Sequence, residues 1–281
     1  MAQDVHTYRV FTDDASQGNA AAVIEYDGWS DAELLELARR SGAPVTVFVQ
    51  FGSAQERDAV LRYFSTEKEM TFCGHGTLAA GAYMMQQCQF DRLQVITGSG
   101  TPIVITKSPQ GHYYFKTERV RRLDMIPDRI EIAHMLGVEP GVIISDHAPF
   151  GAASIGSPKL LVPLCHLTDL DAMAPKFEEI KEWSRKHRVN GVYAYAFQQT
   201  KEEAKDAGAL YVHARGFNPL FGIPEDAATG VAAGALGDLL FQEGGPSKYV
   251  FVQGKHVGAE SEIRVMVAAE SVEIGGSVLK L

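Results

Sequence analysis

The chain has 281 residues, of which 46% are hydrophobic and 22% are charged, so it can bury a sizeable core in one large domain or two medium ones. Its net charge is −9 and it contains no basic run, which argues against nucleic acid or an anionic membrane surface as a partner. Three widely spaced cysteines, Cys73, Cys88 and Cys165, predict neither a disulfide framework nor a zinc site.

Targeting and cofactor signals are missing from the sequence. The N-terminus has neither the basic nor the apolar region of a signal peptide, and no apolar run approaches the ~20 residues of a membrane span. No group of His, Cys and Asp has the spacing of metal ligands, and no motif points to an organic cofactor. We therefore expect a cytoplasmic protein without a membrane partner, a metal or a cofactor.

The first half of the chain is predicted to be rich in strands, with one outer and one internal helix. A capping box beginning at Ser30 predicts the start of the outer helix, and Gly42 followed by Pro44 predicts its end. The internal helix is expected from about Thr77 to Gln87. The alternating apolar segments predict strands at 7–12, 20–24, 46–51, 60–64, 93–97, 103–106 and 113–116.

The second half is predicted to repeat this plan after a charged crossing segment at 117–122. Helices are expected at 129–136, 176–186 and from 230 to about 240. Strands are expected at 142–145, 159–162, 192–197, 209–215, 249–252, 263–267 and 272–274, with loops at 151–158 and 216–229. The predicted domains are an N-terminal lobe, 1–118 completed by 270–281, and a C-terminal lobe, 119–269.

An internal repeat marks two of these helices. Residues 78–82 and 231–235 differ only at their first position, and a turn-prone stretch precedes each copy. Small residues let a helix sit among close neighbours, and the N-terminus of a helix favours an anion. The repeat thus indicates a duplicated fold with an acid-binding site. The alternative is a chance match of Ala and Gly, both of which are common here.

Several longer motifs occur in a fixed order along the chain. They are Val10-Phe11-Thr12 with Gly18-Asn19-Ala20-Ala21-Ala22-Val23, Arg62-Tyr63-Phe64, Cys73-Gly74-His75-Gly76-Thr77, Arg215-Gly216-Phe217-Asn218-Pro219 and Gly222-Ile223-Pro224-Glu225-Asp226-Ala227-Ala228-Thr229-Gly230. Together these motifs resemble the phenazine-biosynthesis PhzF-like family over nearly the whole chain. The last of them is the longest and the most specific.

The resemblance implies an α/β (α+β) fold of the diaminopimelate-epimerase type. Two pseudo-symmetric lobes are expected, each a β-barrel-like sheet wrapped around a central helix. It also implies an active site where the N-termini of the two central helices meet, and a homodimer. The expected ligand is a small anionic metabolite that carries a carboxylate.

Two polar positions of the family site are apolar in this chain. Family isomerases are understood to use the Glu of a Ser-Glu-Thr-x-Phe segment as the acid–base group, and Val45 stands at that position, between Pro44 and Thr46. The Ser that helps to hold substrate in the family is Val231 here. His75 and Asp226 are retained, and we expect them to be the catalytic pair.

The remaining candidate residues are expected to bind substrate, and each has a structural alternative. They are Gly18, Asn19, Val45, Cys73, Gly74, Gly76, Thr77, Thr229, Gly230 and Val231. His75 and Asp226 can be helix caps instead, and Cys73 a small buried residue. Glu67, Glu69 and Glu225 lie near the motifs and are candidates to replace the missing acid, although exposed Glu usually forms a solvated face.

Three functions remain open at this point. The first is a PhzF-like isomerase that moves a proton or a double bond in a small carboxylate-bearing metabolite, as in phenazine biosynthesis. The second is an inactive protein of the same fold that binds a small acid. The third and weakest is a racemase or epimerase like the proline racemases, because the second turn, 227–229, lacks the second thiol that those enzymes use.

Overall fold

The computed structural model describes residues 4–52, 59–144, 146, 148–197 and 208–281. They form two compact units, Met1–Lys116 with Gly275–Leu281, and Thr117–Ile274. Each unit combines strands with one buried helix and one or more helices on the outside. This is the mixed α/β architecture expected from the sequence.

The first unit is a mixed sheet with a helix on each face. Its strands are β1 (His6–Val10), β2 (Asn19–Glu25), β3 (Val45–Phe51), β4 (Ala59–Ser65), β5 (Glu69–Met70), β6 (Arg92–Thr97), β7 (Pro102–Lys107), β8 (Tyr113–Thr117) and β18 (Val278–Lys280). Strand β1 pairs antiparallel with β18 and β2, and β2 pairs parallel with β3. Strand β4 is antiparallel to β3 and β5 and parallel to β6, and β6, β7 and β8 continue antiparallel.

The outer helix of this unit, α1 (Asp31–Ser41), begins and ends as its sequence predicts. The Ser30 side chain accepts from the Glu33 amide, and the Glu33 carboxylate accepts from the Ser30 amide, which completes the capping box. Gly42 ends the helix with φ 73°. Leu34 and Ala38 bury the apolar face of the helix against Ile24, Phe48 and Phe64 of the sheet.

The central helix of this unit, α2 (Gly74–Cys88), is buried along its length from residue 76 to residue 85. A helix that is buried on every side must be built from small or apolar residues. At Gly81 there is no room for a side chain, because an added Cβ would lie 2.7 Å from Cγ2 of Ile105 on β7. The helix starts three residues before the predicted Thr77, because Cys73 rather than Gly76 is its N-cap.

The second unit has more helices around its sheet. Its strands are β9 (Arg121–Arg122), β10 (Gly151–Ser154), β11 (Lys159–Pro163), β12 (Val192–Ala196), β13 (Leu210–Asn218), β14 (Ile223–Asp226), β15 (Lys248–Gln253), β16 (Ser261–Val267) and β17 (Val272–Gly276). Its helices are α3 (Arg129–Leu136), α4 (Leu167–Ala172), α5 (Phe177–His187) and α6 (Gly230–Gln242). The outer helices α3 and α5 cover an apolar cluster that includes Ile180, Trp183 and Phe217. The buried helix is α6.

The two units share one strand plan. In the second unit β10 pairs antiparallel with β11, β11 parallel with β12, and β13 antiparallel with β12 and β14. Strand β13 then pairs parallel with β15, which is antiparallel to β16. These pairings repeat those of β1 to β7 in the same order, with α6 in the place of α2. The repeated stretches 78–82 and 231–235 therefore lie in equivalent helices, which argues against a chance match.

Several predicted loops and one predicted strand are wrong in the second unit. The stretch 142–145 is no strand: Pro140–Val142 forms a 3-10 turn and Ile143 makes a single bridge to Leu164, while Ser145 lies outside the described residues. The expected loop 151–158 begins with β10, the crossing segment 117–122 contains β9, and the prediction missed α4. These elements are short, so they show too little periodicity to be recognised in the sequence.

The expected loop 216–229 is mostly ordered as a hairpin. Strand β13 continues to Asn218, a 3-10 turn follows at Pro219–Phe221, and β14 returns along β13. Pro219 at the start of the turn and Gly222 with φ 73° at its end fold the chain back within a few residues. Gly and Pro made this segment look like a loop, although they form the turn that brings Asp226 beside Gly216.

Candidate functional site

Hydrogen bonds of Thr77 fix the first turn of α2. The Thr77 amide and hydroxyl both donate to the Cys73 carbonyl, at 2.9 and 2.8 Å, and the Tyr63 hydroxyl lies 2.8 Å from the same hydroxyl. Thr77 is fully buried and fixes the turn, and its role in substrate binding stays a prediction. The amides of Gly74, His75 and Gly76 precede the first intrahelical bond and are left as donors for a ligand.

His75 is a neutral imidazole in this environment. Burial lowers the pKa of His75 to about 4, against the opposing effect of a hydrogen bond to the backbone of Ala20. The Cys73 thiol sulfur lies 3.4 Å from Nδ1 and 3.8 Å from Nε2. A neutral ring can both donate and accept a hydrogen bond, so His75 can pass on a proton without becoming a fixed positive charge.

The strand β3 packs closely on this turn. A Cβ added at Gly76 would lie 2.6 Å from Cγ2 of Val47, which explains why only glycine fits there. Val45 is two residues from Val47, so it lies on the same face of β3, and only 2% of it is exposed. Thr46, on the other face, is bonded to Ser41. Val45, which the resemblance places at the family's acid position, is thus a buried apolar residue on the α2 side of the sheet.

Gly18 and Asn19 lie at the start of β2. Gly18 has φ 74°, and a side chain there would collide with Thr12 and with the Val10 carbonyl, so glycine is required by the backbone. Asn19 is buried and pairs with Val10, and the next residue, Ala20, is bonded to His75. The structure therefore brings this turn beside the His75 ring, while Gly18 itself has a structural role.

Asp226 ends β14, four residues before α6 begins, and its carboxylate has several donors. Oδ2 accepts from Asn218 Nδ2 at 3.2 Å and from the Thr229 hydroxyl at 3.0 Å. Oδ1 accepts from the Ala228 amide at 3.4 Å. Asp226 remains partly exposed, so it is a fixed carboxylate that a ligand can still reach.

Gln253 of β15 holds the rest of this second turn. Its Oε1 accepts from the Thr229 amide at 3.0 Å, and its Nε2 donates to the Asp226 carbonyl at 2.7 Å. The Thr229 carbonyl accepts from the Ala232 and Ala233 amides, so Gly230 and Val231 carry the amides that precede the first intrahelical bond. Val231 is partly exposed and Gly230 is buried.

Two of the three glutamates that were candidates for the missing acid are paired with arginines. Glu225 makes a bidentate ion pair with Arg215, at 2.9 and 2.8 Å, and both side chains are less than 10% exposed. Glu69 makes the equivalent pair with Arg62, at 2.7 and 2.6 Å. Glu67 is exposed in the turn between β4 and β5. Both of these carboxylates are therefore already engaged by an arginine.

The structure adds one group that the sequence analysis missed. Lys159 is only 4% exposed, and its Nζ donates to Asn218 Oδ1 and to the Asn190 carbonyl. Burial lowers the pKa of Lys159 to about 8, and Asp226 acts in the opposite direction. A single lysine at the start of the apolar run 159–162 was the signal in the sequence, because a buried lysine in a strand needs a partner.

Within the described part of the chain, no group of three or more His, Cys, Asp and Glu side chains is arranged to hold a metal ion. In that same part, no helix has both the length and the apolar character needed to cross a membrane. The groups that the two turns present are an imidazole, a thiol, a carboxylate and helix amides.

A model of phenazine biosynthesis-like proteins, PhzC-PhzF, matches residues 8–279. The chain belongs to the PhzC-PhzF family. An uncharacterized isomerase of Deinococcus radiodurans is 32% identical to it, over 95% of this chain and 89% of that protein. An uncharacterized isomerase of Clostridium acetobutylicum is 27% identical, over 97% of this chain and 93% of that protein. The resemblance expected from the motifs is thereby confirmed, and curated relatives in the PhzC-PhzF family are isomerases by name.

Solved structures agree on the fold of this PhzC-PhzF protein. A phenazine biosynthesis protein of the PhzF family from Bacillus anthracis has a TM-score of 0.82 at 23% identity, covering 100% of this chain and 98% of that one. A probable proline racemase from Agrobacterium radiobacter, with bound carbonate, has a TM-score of 0.62 at 11% identity, covering 100% and 91%. At these identities the likeness shows the fold alone, which confirms the predicted fold class.

Proposed function

We propose that this protein is an isomerase that moves a proton, with or without a double bond, within a small carboxylate-bearing metabolite. His75 and Asp226 carry the transfer in the place of the family's glutamate. The class of reaction follows the isomerases among its relatives, and the substrate class follows the two helix N-termini. The earlier prediction that both turns line one shared cleft stays a prediction.

One observation carries this proposal. Each central helix begins with a turn that combines one titratable side chain with amides that lack an intrahelical acceptor: His75 in α2 and Asp226 before α6. Amides at a helix N-terminus stabilise a carboxylate, and they also stabilise the negative charge that develops when a neighbouring carbon loses a proton.

The proposed reaction uses these groups in fixed roles. The Asp226 carboxylate takes a proton from a carbon of the substrate, and the electron pair of the broken C–H bond shifts into the conjugated system beside it. The amides at the start of α2 donate hydrogen bonds to the charge that develops, and His75, whose one ring N–H is donated to the backbone of Ala20, offers its other ring nitrogen as an acceptor for a donor group of the substrate. Asp226 then returns the proton to another carbon, so no proton is gained or lost. Positioned acid–base groups of this kind accelerate a reaction by ~10²–10⁴-fold.

The experiment is proton exchange in D₂O, followed by NMR on a panel of small carboxylic acids that includes the dihydro-hydroxyanthranilate of the phenazine enzymes. We expect one acid to gain deuterium, and the phenazine substrate to fail because Val45 replaces the glutamate. Val45→Glu should restore weak exchange on that substrate, while Val60→Glu, on the partly exposed part of β4, serves as the matched control. Rapid turnover of the phenazine substrate by the wild type would refute the role given to Val45.

A non-catalytic binding protein is the second candidate. The glutamates nearest the motifs, Glu69 and Glu225, are tied to arginines, and Val45 is buried and apolar, so the usual acid has no replacement among them. If an acid of the panel binds but none exchanges deuterium, the binding function replaces the isomerase. A racemase remains the weakest alternative, because Cys73 has no thiol counterpart in the turn before α6.

The cytoplasmic location and the homodimer stay predictions. The dimer rests on the family resemblance, and light scattering of the purified chain tests it.

A further inference from the structure

A buried polar chain leads from Lys159 to the carboxylate of Asp226. Lys159 on β11 donates to Asn218 Oδ1, and Asn218 Nδ2 donates to Asp226 Oδ2 at 3.2 Å. Lys159 and Asn218 are 4% and 6% exposed, so neither can be reached by a ligand directly. Asp226 is the member of the chain that remains partly exposed.

The direction of the hydrogen bonds in this chain is set by Lys159. An ammonium group can only donate, so Asn218 must turn its amide oxygen toward Lys159. The amide nitrogen of Asn218 then faces Asp226, where it donates to a carboxylate oxygen. A protonated Lys159 thus selects the Asn218 orientation in which the amide nitrogen donates to an ionised Asp226.

The positive charge of Lys159 is buried and, among the described residues, has few polar neighbours. Its Nζ lies 6.0 Å from the centroid of the Phe221 ring, and its other acceptor is the Asn190 carbonyl. Asp226 on β14 is the titratable group that favours the charged form of Lys159, and burial opposes it. Tyr193 on β12 is fully buried nearby, and burial and the charge of Asp226 both raise its pKa, so it stays neutral.

The first unit has no such chain at the matching positions. The strand registers place Ala21 where Lys159 stands and Ser65 where Asn218 stands, counting from the paired arginines Arg62 and Arg215. The polar chain is therefore specific to the second unit and is not a feature that the shared strand plan requires.

We propose that Lys159 is a positioning residue for Asp226: through Asn218 it holds the carboxylate ionised and fixed in orientation, ready to accept a proton. The role as a base rests on the proposed function, but the electrostatic coupling of Lys159 and Asp226 does not. Since neutral Lys159 can also accept, the coupling weakens when Lys159 loses its proton, near pH 8.

The first test follows Asp226 in the wild-type protein without any substrate. The chain is labelled with ¹³C at the aspartate carboxyl carbons, and the Asp226 signal is assigned by its loss in Asp226→Asn. We expect the signal to move in two steps, one as Asp226 itself titrates and one near pH 8 as Lys159 titrates. A single step would overturn the proposal.

The second test compares variants by the same signal. Lys159→Met should raise the midpoint of the Asp226 titration by about one unit, since a nearby opposite charge lowers an Asp pKa by ~1–3 units. Asn218→Leu should raise it by less, because the charge remains and only the donor is lost. Lys248→Met removes an exposed lysine of β15 and is the matched control. An unchanged midpoint in folded Lys159→Met would refute the coupling, and if that variant does not fold, the wild-type titration decides.

Proton exchange in D₂O separates this proposal from the proposed function. Where an acid exchanges, the wild-type rate should fall above about pH 8, and Lys159→Met should lose that alkaline limb together with at least ~10-fold of the rate. If no acid exchanges but the carboxyl signal still reports Lys159, the isomerase fails and the coupling stands. If exchange occurs and the rate and midpoint of Lys159→Met equal those of the wild type, the positioning role fails and the isomerase stands.

Discussion

The turns that begin α2 and α6 occupy equivalent positions in the strand order of the two units. They carry different functional groups. The first turn holds a thiol and a neutral imidazole, and its Gly76 packs against Val47 of β3. The second holds a carboxylate in a network with Asn218, Thr229 and Gln253. The duplicated backbone has thus kept the two helix N-termini and an Arg–Glu pair in each unit, while the polar side chains of the two turns differ.

In both turns a glycine makes room for a larger residue on the facing element. The glycine lies in the turn of the first unit and on the strand of the second unit. In the first unit Tyr63 on β4 is large and Gly76 of the turn is small. In the second unit Gly216 on β13 is small, and a Cβ there would lie 2.5 Å from the Thr229 hydroxyl of the turn. In each unit a small residue on one element thus faces a larger residue on the other, while the polarity of the larger residue differs between the units.

The largest expected effect is a loss of activity, and it should be greater for the base Asp226 than for His75. Asp226→Asn keeps the size of the side chain but removes the base, so exchange should fall by ~10²–10⁴-fold. His75→Gln keeps a hydrogen-bond donor, so its loss should be smaller, near ~10-fold, with His75→Ala approaching Asp226→Asn. The initial rate of deuterium exchange measures all three. Full activity in both Asp226→Asn and His75→Ala would exclude the catalytic pair.

The ion pairs of the two units should differ in their contribution to stability. Glu225→Ala leaves Arg215 buried without its carboxylate and should lower the free energy of unfolding by about 3–5 kcal/mol. Glu69→Ala should lower it by about 1 kcal/mol or less, because that pair is more exposed and Arg62 keeps Asp31 as a partner. Urea denaturation of the two matched variants compares them. Equal losses would show that burial does not distinguish the units.

The two turns should also respond to pH in separate windows. His75 has a pKa of about 4 in the folded chain and an ordinary value of 6.5, so the unfolded chain binds the extra proton between these values. Stability from this group is present above pH 6.5 and is lost as pH falls toward 4. Lys159 behaves likewise between 10.5 and about 8, with stability lost as pH falls through that range. Each contribution is about 3–4 kcal/mol at ~1.4 kcal/mol per pKa unit.

Unfolding free energies of His75→Asn and Lys159→Met across pH 4–11 check both windows. His75→Asn should flatten the acid limb alone, and Lys159→Met the alkaline limb alone. A His75→Asn profile parallel to that of the wild type below pH 6.5 would mean that the ring is protonated in the folded chain.

A smaller effect than that of the buried ion pair concerns the packing of the first turn. Gly76→Ala forces Val47 to move, because the new Cβ would lie 2.6 Å from its Cγ2, and overpacking of this kind costs about 1–3 kcal/mol. Adding Val47→Ala should recover most of that loss. Gly111→Ala, at a position with open space but φ 88°, is the control for backbone strain alone. Thermal unfolding of the four proteins measures the difference.

The sequence alone determined the features that depend on neighbours along the chain. The capping box at Ser30, the exit of α1 at Gly42 and the repeated small-residue helices could all be predicted, because caps and helical periodicity act over a few residues. The ordered motifs predicted the family, and with it the fold. His75 and Asp226 were singled out through the same resemblance, as the polar groups of the family site that this chain retains.

Only the tertiary structure decided which groups surround those residues. Lys159 lies 67 positions before Asp226, and Arg215 meets Glu225 only because a turn at Pro219 folds β14 back onto β13. Strand register and burial are set by distant parts of the chain, and they determine both the partner and the pKa of a side chain. The sequence therefore named the two turns, while the fold determined that one is apolar with a neutral imidazole and the other is a carboxylate coupled to a buried lysine.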